Sequence, residues 1–366
     1  MGVARALRLY AGPAARRHIE RNGLGASDIG VIPGAAGGPK GLILGPLDRF
    51  IFGEWLPAST QPVHLVGASI GAWRMATACL SQAGLAFERL ERDYIAQSYE
   101  VEPGRTRPTA AHVSERFGMN LADFYSGRVG ELLAHPRFRL HIVTARGRHV
   151  LGREHKLRTP LGYLAAFVSN SVHRRAMGAW IERVVFSAAG PGGRPAPLPF
   201  DSSDYRTRQV PLTAANFAPA LQASCSIPFV LQALHDIPGA PPGAYWDGGI
   251  TDYHLHLNYA ARAEQGLVLY PHFQKAVVPG WLDKALRWRH RATHFLDSTL
   301  VLAPDPQWVA SLPNGKLPDR SDFERYGTDL AGRMKAWKTA VSASRQLADE
   351  FAQWLQRPEA GRLEAL

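Results

Sequence analysis

Residues 63–71 read Val-His-Leu-Val-Gly-Ala-Ser-Ile-Gly, and the rest of the chain is best understood from this stretch. The apolar residues before Gly67 predict a buried strand, and the residues after Ser69 are compatible with a helix. A serine at such a strand–turn–helix junction has a cramped backbone, so only glycine fits at Gly67 and Gly71. The free N–H groups at the start of the helix face any negative charge that forms there. This context predicts that Ser69 is a nucleophile; the alternative is a tight turn that happens to contain serine.

Strand-like and helix-like segments alternate over the first 270 residues, which predicts an α/β fold with a mostly parallel sheet covered on both faces. The predicted strands are 28–33, 63–66, 139–145, 183–187, 245–246, 267–270 and 299–302, and the predicted helices are 39–55, 69–82, 87–100, 110–134, 160–180 and 214–225. Residues 1–270 are predicted to form the catalytic domain. Residues 271–366 are predicted to form a mainly helical extension docked on the same core, with one long or two stacked amphipathic helices over 322–355.

Bulk composition limits the class of protein. The chain has 366 residues, two cysteines and a formal net charge of +11, with no apolar run long enough to span a bilayer. The first ten residues lack the features of a secretory signal, and the cysteines have apolar surroundings, so we expect a cytoplasmic protein with reduced thiols. The charge favours anionic partners, but no nucleic-acid module is found and basic residues are scattered. We therefore expect no nucleic-acid partner, no metal site and no cofactor.

A second glycine cluster follows the first predicted strand and reads Gly-Ala-Ala-Gly-Gly-Pro-Lys-Gly at residues 34–41. It is not a phosphate-binding P-loop, because that motif needs serine or threonine where Gly41 stands. Its bare N–H groups can stabilise an oxyanion when an acyl group is attacked. The predicted donors are Gly37 and Gly38, helped by the amide of Ile70. The alternative is a strand–helix turn that needs glycine for its backbone conformation.

Asp247 ends a predicted strand and is followed by Gly248 and Gly249. A carboxylate is a weak base in water, but in a desolvated pocket it can accept the proton of a serine hydroxyl directly. The pattern therefore makes Asp247 a candidate general base for Ser69. An ordinary Asp-Gly-Gly turn is the alternative interpretation.

The glycine-rich turn, the serine motif and Asp-Gly-Gly, in this order, resemble the patatin-like phospholipases over roughly residues 28–260. The small-residue segment 223–229 also looks like the family's helix before its final strand. The resemblance implies a three-layer α/β/α fold and a lipid acyl hydrolase of the phospholipase A, lysophospholipase or esterase type. It places Ser69 and Asp247 in a catalytic dyad, with Gly37 and Gly38 in the oxyanion motif.

Three positions depart from the family pattern. Ala35 and Ala36 stand where the family has an aspartate and its first glycine, and Lys40 replaces an arginine. Alanine keeps the turn compact and lysine keeps the positive charge, although the arginine's fork of hydrogen bonds is lost. The resemblance therefore predicts an oxyanion hole, while the level of activity stays open.

An aromatic and apolar stripe recurs at three- and four-residue steps over residues 281–295. On a helix it would lie beside a basic face, as in helices that rest on anionic lipid. A core-facing helix with a solvated basic side is the alternative. The candidate membrane-facing residues are Trp281, Trp288, Lys284, Arg287 and Arg291.

Histidines after Asp247 keep a Ser–Asp–His triad open as a rival to the dyad. His254 and His256 stand two apart, which predicts that they share one face of a strand and act as local hydrogen-bonding residues. An acyltransferase, a thioesterase and a catalytically silent lipid- or protein-binding module also remain open. The substrate is expected to be a lipid or another ester; head group, chain length and oligomeric state are not determined.

Overall fold

The computed structural model describes residues 5–101, 104–105 and 107–366, so part of the N-terminal segment in which no signal was predicted lies outside the described residues. In this part of the chain eleven strands are found, and they belong to one sheet. The strands are β1 Leu7–Ala11, β2 Ile29–Gly34, β3 Val63–Ala68, β4 Phe138–Gly147, β5 Ile181–Ser187, β6 Thr207–Pro211, β7 Leu234–His235, β8 Ala244–Asp247, β9 Leu267–Pro271, β10 Thr299–Pro304 and β11 Leu363–Ala365.

The helices alternate with these strands along most of the chain. The α-helices of the described residues are α1 Pro13–Asn22, α2 Gly45–Phe50, α3 Ile70–Ala78, α4 Ala83–Ala96, α5 Ala110–Phe124, α6 Val129–Leu133, α7 Arg158–Val172, α8 Arg174–Met177, α9 Ala214–Cys225, α10 Gly249–Asp252, α11 Pro306–Ser311, α12 Ser321–Tyr326, α13 Leu330–Ala343 and α14 Arg345–Gln356. Not one of them is both long enough and apolar enough to cross a membrane.

The sheet has the order β11-β1-β10-β9-β2-β3-β4-β5-β6, and β8 pairs with β4 and with the short β7. The central run from β10 through β9, β2 and β3 to β4 is parallel throughout. Antiparallel pairs join β1 to β10, β4 to β5 and β8 to β4. The predicted α/β class with a mostly parallel sheet is confirmed, in an arrangement consistent with three layers.

The central strands are buried because apolar residues stand on both of their faces. Every residue of β2 is buried, and in β3 only His64 is partly exposed. Strands covered by helices on both sides are apolar along their whole length, unlike strands with one wet face. The parallel pairing of β2 with β3, with Gly34 opposite Gly67, brings their carboxyl ends, each followed by glycine-rich sequence, to the same edge of the sheet.

Three predicted helices are interrupted. The predicted helix 39–55 consists of a 3₁₀ turn, α2 and a π-turn. The break before α2 falls at Pro46, which has no N–H with which to continue the hydrogen bonds of the 3₁₀ turn. The predicted helix 110–134 divides into α5 and α6 near Gly127, which has a φ of 70°. The predicted helix 160–180 stops at His173, which has extended angles (φ −155°, ψ 130°) and caps α8.

The residues beyond 270 are part of the same sheet rather than only a helical attachment to it. β10 lies between β1 and β9, and β11 pairs with β1. The predicted one or two helices over 322–355 are three, α12, α13 and α14. In α14 the buried residues Leu347, Phe351 and Trp354 recur at four- and three-residue steps, so its apolar face packs on the core.

Candidate active site

Ser69 sits in the turn between β3 and α3, with a φ of 56° and a ψ of −130°. This is a strained conformation for a side chain other than glycine, and close packing on both sides maintains it. A methyl group on Gly71 would lie 1.8 Å from the carbonyl oxygen of Gly34, and one on Gly67 would lie 2.3 Å from Cα of Ala72. Both positions therefore require glycine, and α3 begins in direct contact with the end of β2.

Ser69 and Asp247 are in direct contact. Ser69 Oγ donates a hydrogen bond to Asp247 Oδ2 over 2.7 Å, and both residues are buried. The second carboxylate oxygen, Oδ1, accepts the N–H of Gly249 at 2.7 Å. Burial raises the pKa of Asp247; the hydrogen bond from Ser69 and the charge of Arg320 oppose that rise. A carboxylate with a raised pKa is a stronger base than aspartate in water.

Strand β4 explains how two residues so distant in sequence meet. Along one edge it pairs first with β3, with Ala68 opposite Val143, and then with β8, with Asp247 opposite Thr144, while β5 pairs with the other edge. Adjacent residues of one strand thus set the positions of the last residues of β3 and β8. Ser69 follows Ala68 directly, so its hydroxyl reaches the carboxylate.

Ser224 near the end of α9 joins the two strand ends further. Its Oγ accepts the N–H of Ser69 at 3.0 Å and donates to the carbonyl of Val143 at 2.7 Å. Its carbonyl accepts the N–H of Gly248 at 3.2 Å, and Ser226 accepts that of Asp247 at 2.9 Å. The sequence marked 223–229 only as a small-residue segment, so this positioning role of Ser224 was missed.

The predicted oxyanion donors lie in the turns that follow β2 and β3. Gly37 precedes a 3₁₀ turn that begins at Gly38, and Ile70 is the first residue of α3. N–H groups at the start of a helix have no acceptor within it, so they are available to an anion. Gly37 lines the same cavity as Ser69, whereas Gly38, with a φ of 57°, is buried near Arg320.

The remaining motif glycines allow backbone segments to approach one another. A methyl group on Gly248 would lie 2.1 Å from the carbonyl oxygen of Val143, and one on Gly249 would lie 2.8 Å from Cβ of Ala36. The space next to Gly41 is less restricted, because a methyl group there would lie 3.3 Å from the Ile70 side chain. Gly248 therefore lets the segment after Asp247 pack against β4, and Gly249 lets it pack against the glycine-rich turn.

A cavity of about 240 Å³ opens at Ser69 and Asp247. Its lining combines apolar and charged side chains. The lining residues are Ala36, Gly37, Lys40, Ser69, Ile227, Asp247, Gly249, Ile250, Tyr253, Trp281, Lys284, Asp319, Arg320 and Ser321. A cavity of this size can hold a small ligand or one end of a larger one.

The described lining of this cavity includes three cations, Lys40, Lys284 and Arg320. Lys284 Nζ lies 4.0 Å from the ring centroid of Tyr253, and desolvation together with the nearby charge of Arg320 lowers the pKa of Lys284 to about 8. Burial also lowers the pKa of Lys40, which faces the ring of Phe273. Among the described lining residues Asp319 is the one carboxylate besides Asp247, and it is paired with Lys316 at 2.7 Å. The opening is therefore positively charged.

No histidine lies between Ser69 and Asp247, and none lines their cavity within the described residues. His254 and His256 follow α10 in an irregular segment, so the prediction that they share a strand face is wrong. His254 Nδ1 accepts the N–H of Val278, while His256 contacts the hydroxyl of Thr293. Burial lowers the pKa of both, so they are neutral hydrogen-bonding residues.

The predicted helix over 281–295 is wrong. The segment forms three separate 3₁₀ turns, at Trp281–Asp283, Arg287–Arg289 and His294–Leu296, so its aromatic residues share no helix face. Two of the candidate membrane-facing residues, Trp281 and Lys284, line the cavity. The others, Arg287, Trp288 and Arg291, are exposed away from the lining.

Both cysteines, Cys79 and Cys225, are buried free thiols. In the part of the chain that is described, no three or more His, Cys, Asp or Glu side chains are grouped so that they could hold a metal ion. Comparison of the chain with protein-family models, with curated proteins and with solved structures finds no match.

Proposed function

We propose that the chain is a patatin-like serine acyl hydrolase that cleaves carboxylic ester bonds of lipids through Ser69 and Asp247. The observation that supports this most directly is the 2.7 Å hydrogen bond from Ser69 Oγ to Asp247 Oδ2 at the wall of a cavity. A nucleophile on a strained turn, directly bonded to a desolvated carboxylate, is an arrangement suited to acyl transfer.

In the proposed reaction, Ser69 Oγ attacks the ester carbonyl carbon while Asp247 takes its proton. The carbonyl oxygen becomes an oxyanion, which the N–H groups of Gly37, Gly38 and Ile70 stabilise. The C–O bond to the alcohol then breaks, and Asp247 returns the proton to the leaving oxygen. A water molecule attacks the acyl-enzyme with Asp247 again as base, which releases the carboxylic acid and restores Ser69.

The charges of the opening favour an ester with a negatively charged group near its scissile bond. Lys40, Lys284 and Arg320 line the cavity, and Asp319 is already paired with Lys316. A phosphate in the leaving alcohol or a carboxylate in the acyl part would be attracted there. This charge supports a phospholipid or lysophospholipid over a neutral glyceride as substrate.

Replacement of Ser69 by alanine tests the proposal. We expect S69A to reduce turnover of a p-nitrophenyl butyrate ester to background and to abolish labelling by a fluorophosphonate probe. We expect D247N to lower kcat by about 10³-fold, because it removes the base. Ser81→Ala is the matched control, since Ser81 is an exposed serine bonded to Glu131.

Wild-type protein and S81A should hydrolyse the ester and be labelled equally. Retained hydrolysis or labelling in purified, folded S69A contradicts the assignment of the nucleophile. Product analysis then separates the rival reactions: free acid indicates hydrolysis, and transfer of the acyl group to a thiol or alcohol indicates an acyltransferase. A clear preference for thioester substrates would indicate a thioesterase.

A further inference from the structure

Helix α7 carries an exposed apolar stripe. Its members stand four, three, four and four residues apart, which places them on one side of the helix. They are Leu157 (73% exposed), Leu161 (65%), Leu164 (59%), Val168 (56%) and Val172 (81%). Single exposed apolar residues are ordinary on protein surfaces, but a continuous exposed stripe marks an interaction site.

The composition of α7 differs from that of an ordinary surface helix. From Thr159 to Val172 the sequence contains no Asp, Glu, Lys or Arg. A surface helix normally has polar residues on the side that faces water. Here the side that faces away from the core is as apolar as the side that faces it.

The inner side of α7 is firmly attached next to the catalytic aspartate. The ring of Tyr163 contacts that of Trp246, the neighbour of Asp247, with centroids 6.1 Å apart. Asn170 donates to Asp283 Oδ1 at 2.8 Å, and Arg174 joins Asp283 to Asp252. The stripe is therefore displayed by a helix in a defined position, close to the active site.

The segment 227–230 connects the cavity to this surface. Ile227 lines the cavity, while Phe229 and Val230 are 61% and 46% exposed. Phe229 lies against Tyr163 of α7 with ring centroids 5.9 Å apart, and its φ of 68° is a strained value for an aromatic residue. The exposed apolar surface thus reaches from α7 to the residues that border the cavity.

Basic residues flank the stripe. Lys156 and Arg158 are exposed at its start, and Arg287 and Arg291 lie around Trp288, which is 67% exposed. None of these four cations forms an ion pair within residues 5–101, 104–105 and 107–366.

The turn that carries Trp288 is joined to the second half of α7. Arg289 donates to Asn170 and to the carbonyl of Ser171, in each case at 3.3 Å. The nearby acids are already engaged, since Glu154 accepts the N–H of Ala233 and Asp236 pairs with Arg153. Apolar side chains with unpaired cations around them are complementary to an anionic bilayer surface, which offers acyl chains below and negative head groups above.

We propose that the docking surface, defined as the outer face of α7 with Phe229, Val230 and Trp288, seats this protein on an anionic lipid bilayer. Docking would bring the cavity at Ser69 to the bilayer surface, so that an ester lipid could pass from the bilayer into the cavity without entering bulk water. The inference rests on the proposed hydrolase function for its purpose, but binding to vesicles can be measured without turnover.

The test uses vesicles of phosphatidylglycerol or of phosphatidylcholine and co-sedimentation of the full chain in the S69A background, in which no lipid is cleaved. We expect binding to phosphatidylglycerol vesicles that weakens as salt rises. L161E should lower the affinity about 10-fold and L161E/V168E about 100-fold, since each substitution adds a charge and removes one exposed apolar side chain that docking would bury in the bilayer. Leu85→Glu is the matched control, because Leu85 is 62% exposed on α4, outside the docking surface.

With Ser69 intact, all of these variants should hydrolyse p-nitrophenyl butyrate at the wild-type rate, and their thermal unfolding should match that of L85E. Absence of binding to phosphatidylglycerol vesicles, or equal binding by L161E/V168E and L85E, overturns the inference. So does a stable dimer in light scattering that L161E dissociates, because a second copy then covers the surface. Vesicle binding without any ester turnover leaves docking in place and refutes the hydrolase proposal instead.

Discussion

The inner wall of the cavity and its opening are built in different ways. The wall consists of backbone turns and short side chains: Ser69 and Asp247 are 4% and 6% exposed, and the glycines that flank them, Gly67, Gly71, Gly248 and Gly249, have no room for a methyl group. The opening consists of long side chains, Lys284 and Arg320, on residues that are exposed. Backbone contacts hold Ser69 Oγ and the Asp247 carboxylate in place, and long, flexible side chains supply the charge at the opening.

This difference has an energetic consequence. A change in the wall forces backbone segments apart, because close-packed interiors relax only in part. A change at the opening alters the electric field at Asp247 and leaves the packing intact. Substitutions in the wall should therefore affect folding and activity together, whereas those at the opening should affect only the pH profile and substrate preference.

The largest effect is expected from Gly71→Ala. The added methyl group would meet the carbonyl oxygen of Gly34 at 1.8 Å, so α3 must move away from β2. We expect the free energy of unfolding to fall by about 3 kcal/mol or more, measured by urea denaturation, with ester turnover lost as well. Gly84→Ala is the matched control: no atom lies within 4 Å of its added methyl group, and the change should stay within about 1 kcal/mol. Equal free energies of unfolding for the two variants would contradict the close packing of α3 against the end of β2.

A smaller effect is expected from Arg320→Gln at the opening. The positive charge of Arg320 opposes the rise in the pKa of Asp247, so its removal raises that pKa further. Because the base must be ionised, the acidic limb of kcat/KM for the neutral ester p-nitrophenyl butyrate should move to higher pH, with the loss confined to that limb and none on the plateau above it. Arg325→Gln, which changes an exposed arginine bonded to Asn314, should leave the limb in place. A shift to lower pH in R320Q would refute the proposed role of Asp247.

The smallest effect is expected from the histidines. Asparagine at position 254 can still accept the N–H of Val278, as His254 Nδ1 does. We expect His254→Asn to keep kcat within about threefold, because a dyad needs no imidazole, whereas removal of a general base costs about 10²–10⁴. The same holds for single substitutions of His256, His272, His290 and His294. A large loss in any of these folded variants would revive the Ser–Asp–His triad.

Some elements were predictable because their signals are local. The apolar run 63–66 followed by Gly-x-Ser-x-Gly predicted a strand, a turn and a helix, and β3 and α3 are found there. The alternation of strands and helices predicted the α/β class and the parallel centre of the sheet. By contrast, β6 was missed because Thr207–Pro211 has mostly polar residues at a sheet edge, and β11 because it has only three residues.

Other features depended on distant contacts. The segment 281–295 has helical spacing of its aromatic residues, but Trp281 borders the cavity and Arg289 bonds to α7, so tertiary contacts outweigh the local preference. Arg320 carries no motif that connects it with Asp247, although it lies at the opening of the same cavity. The exposed stripe on α7 was visible only as part of a long predicted helix.

By itself the sequence determined which short segments turn sharply, because the need for glycine at Gly67 and Gly71 is a matter of local backbone sterics. It also determined the class of fold, because the periodicity of apolar residues follows secondary structure. Only the tertiary structure decided that β4 aligns the ends of β3 and β8, that Arg320 and Lys284 line the cavity beside the carboxylate, and that one side of α7 is exposed. The physical reason is that these features depend on strand register and on packing between segments distant in sequence, and no local sequence pattern specifies either of them.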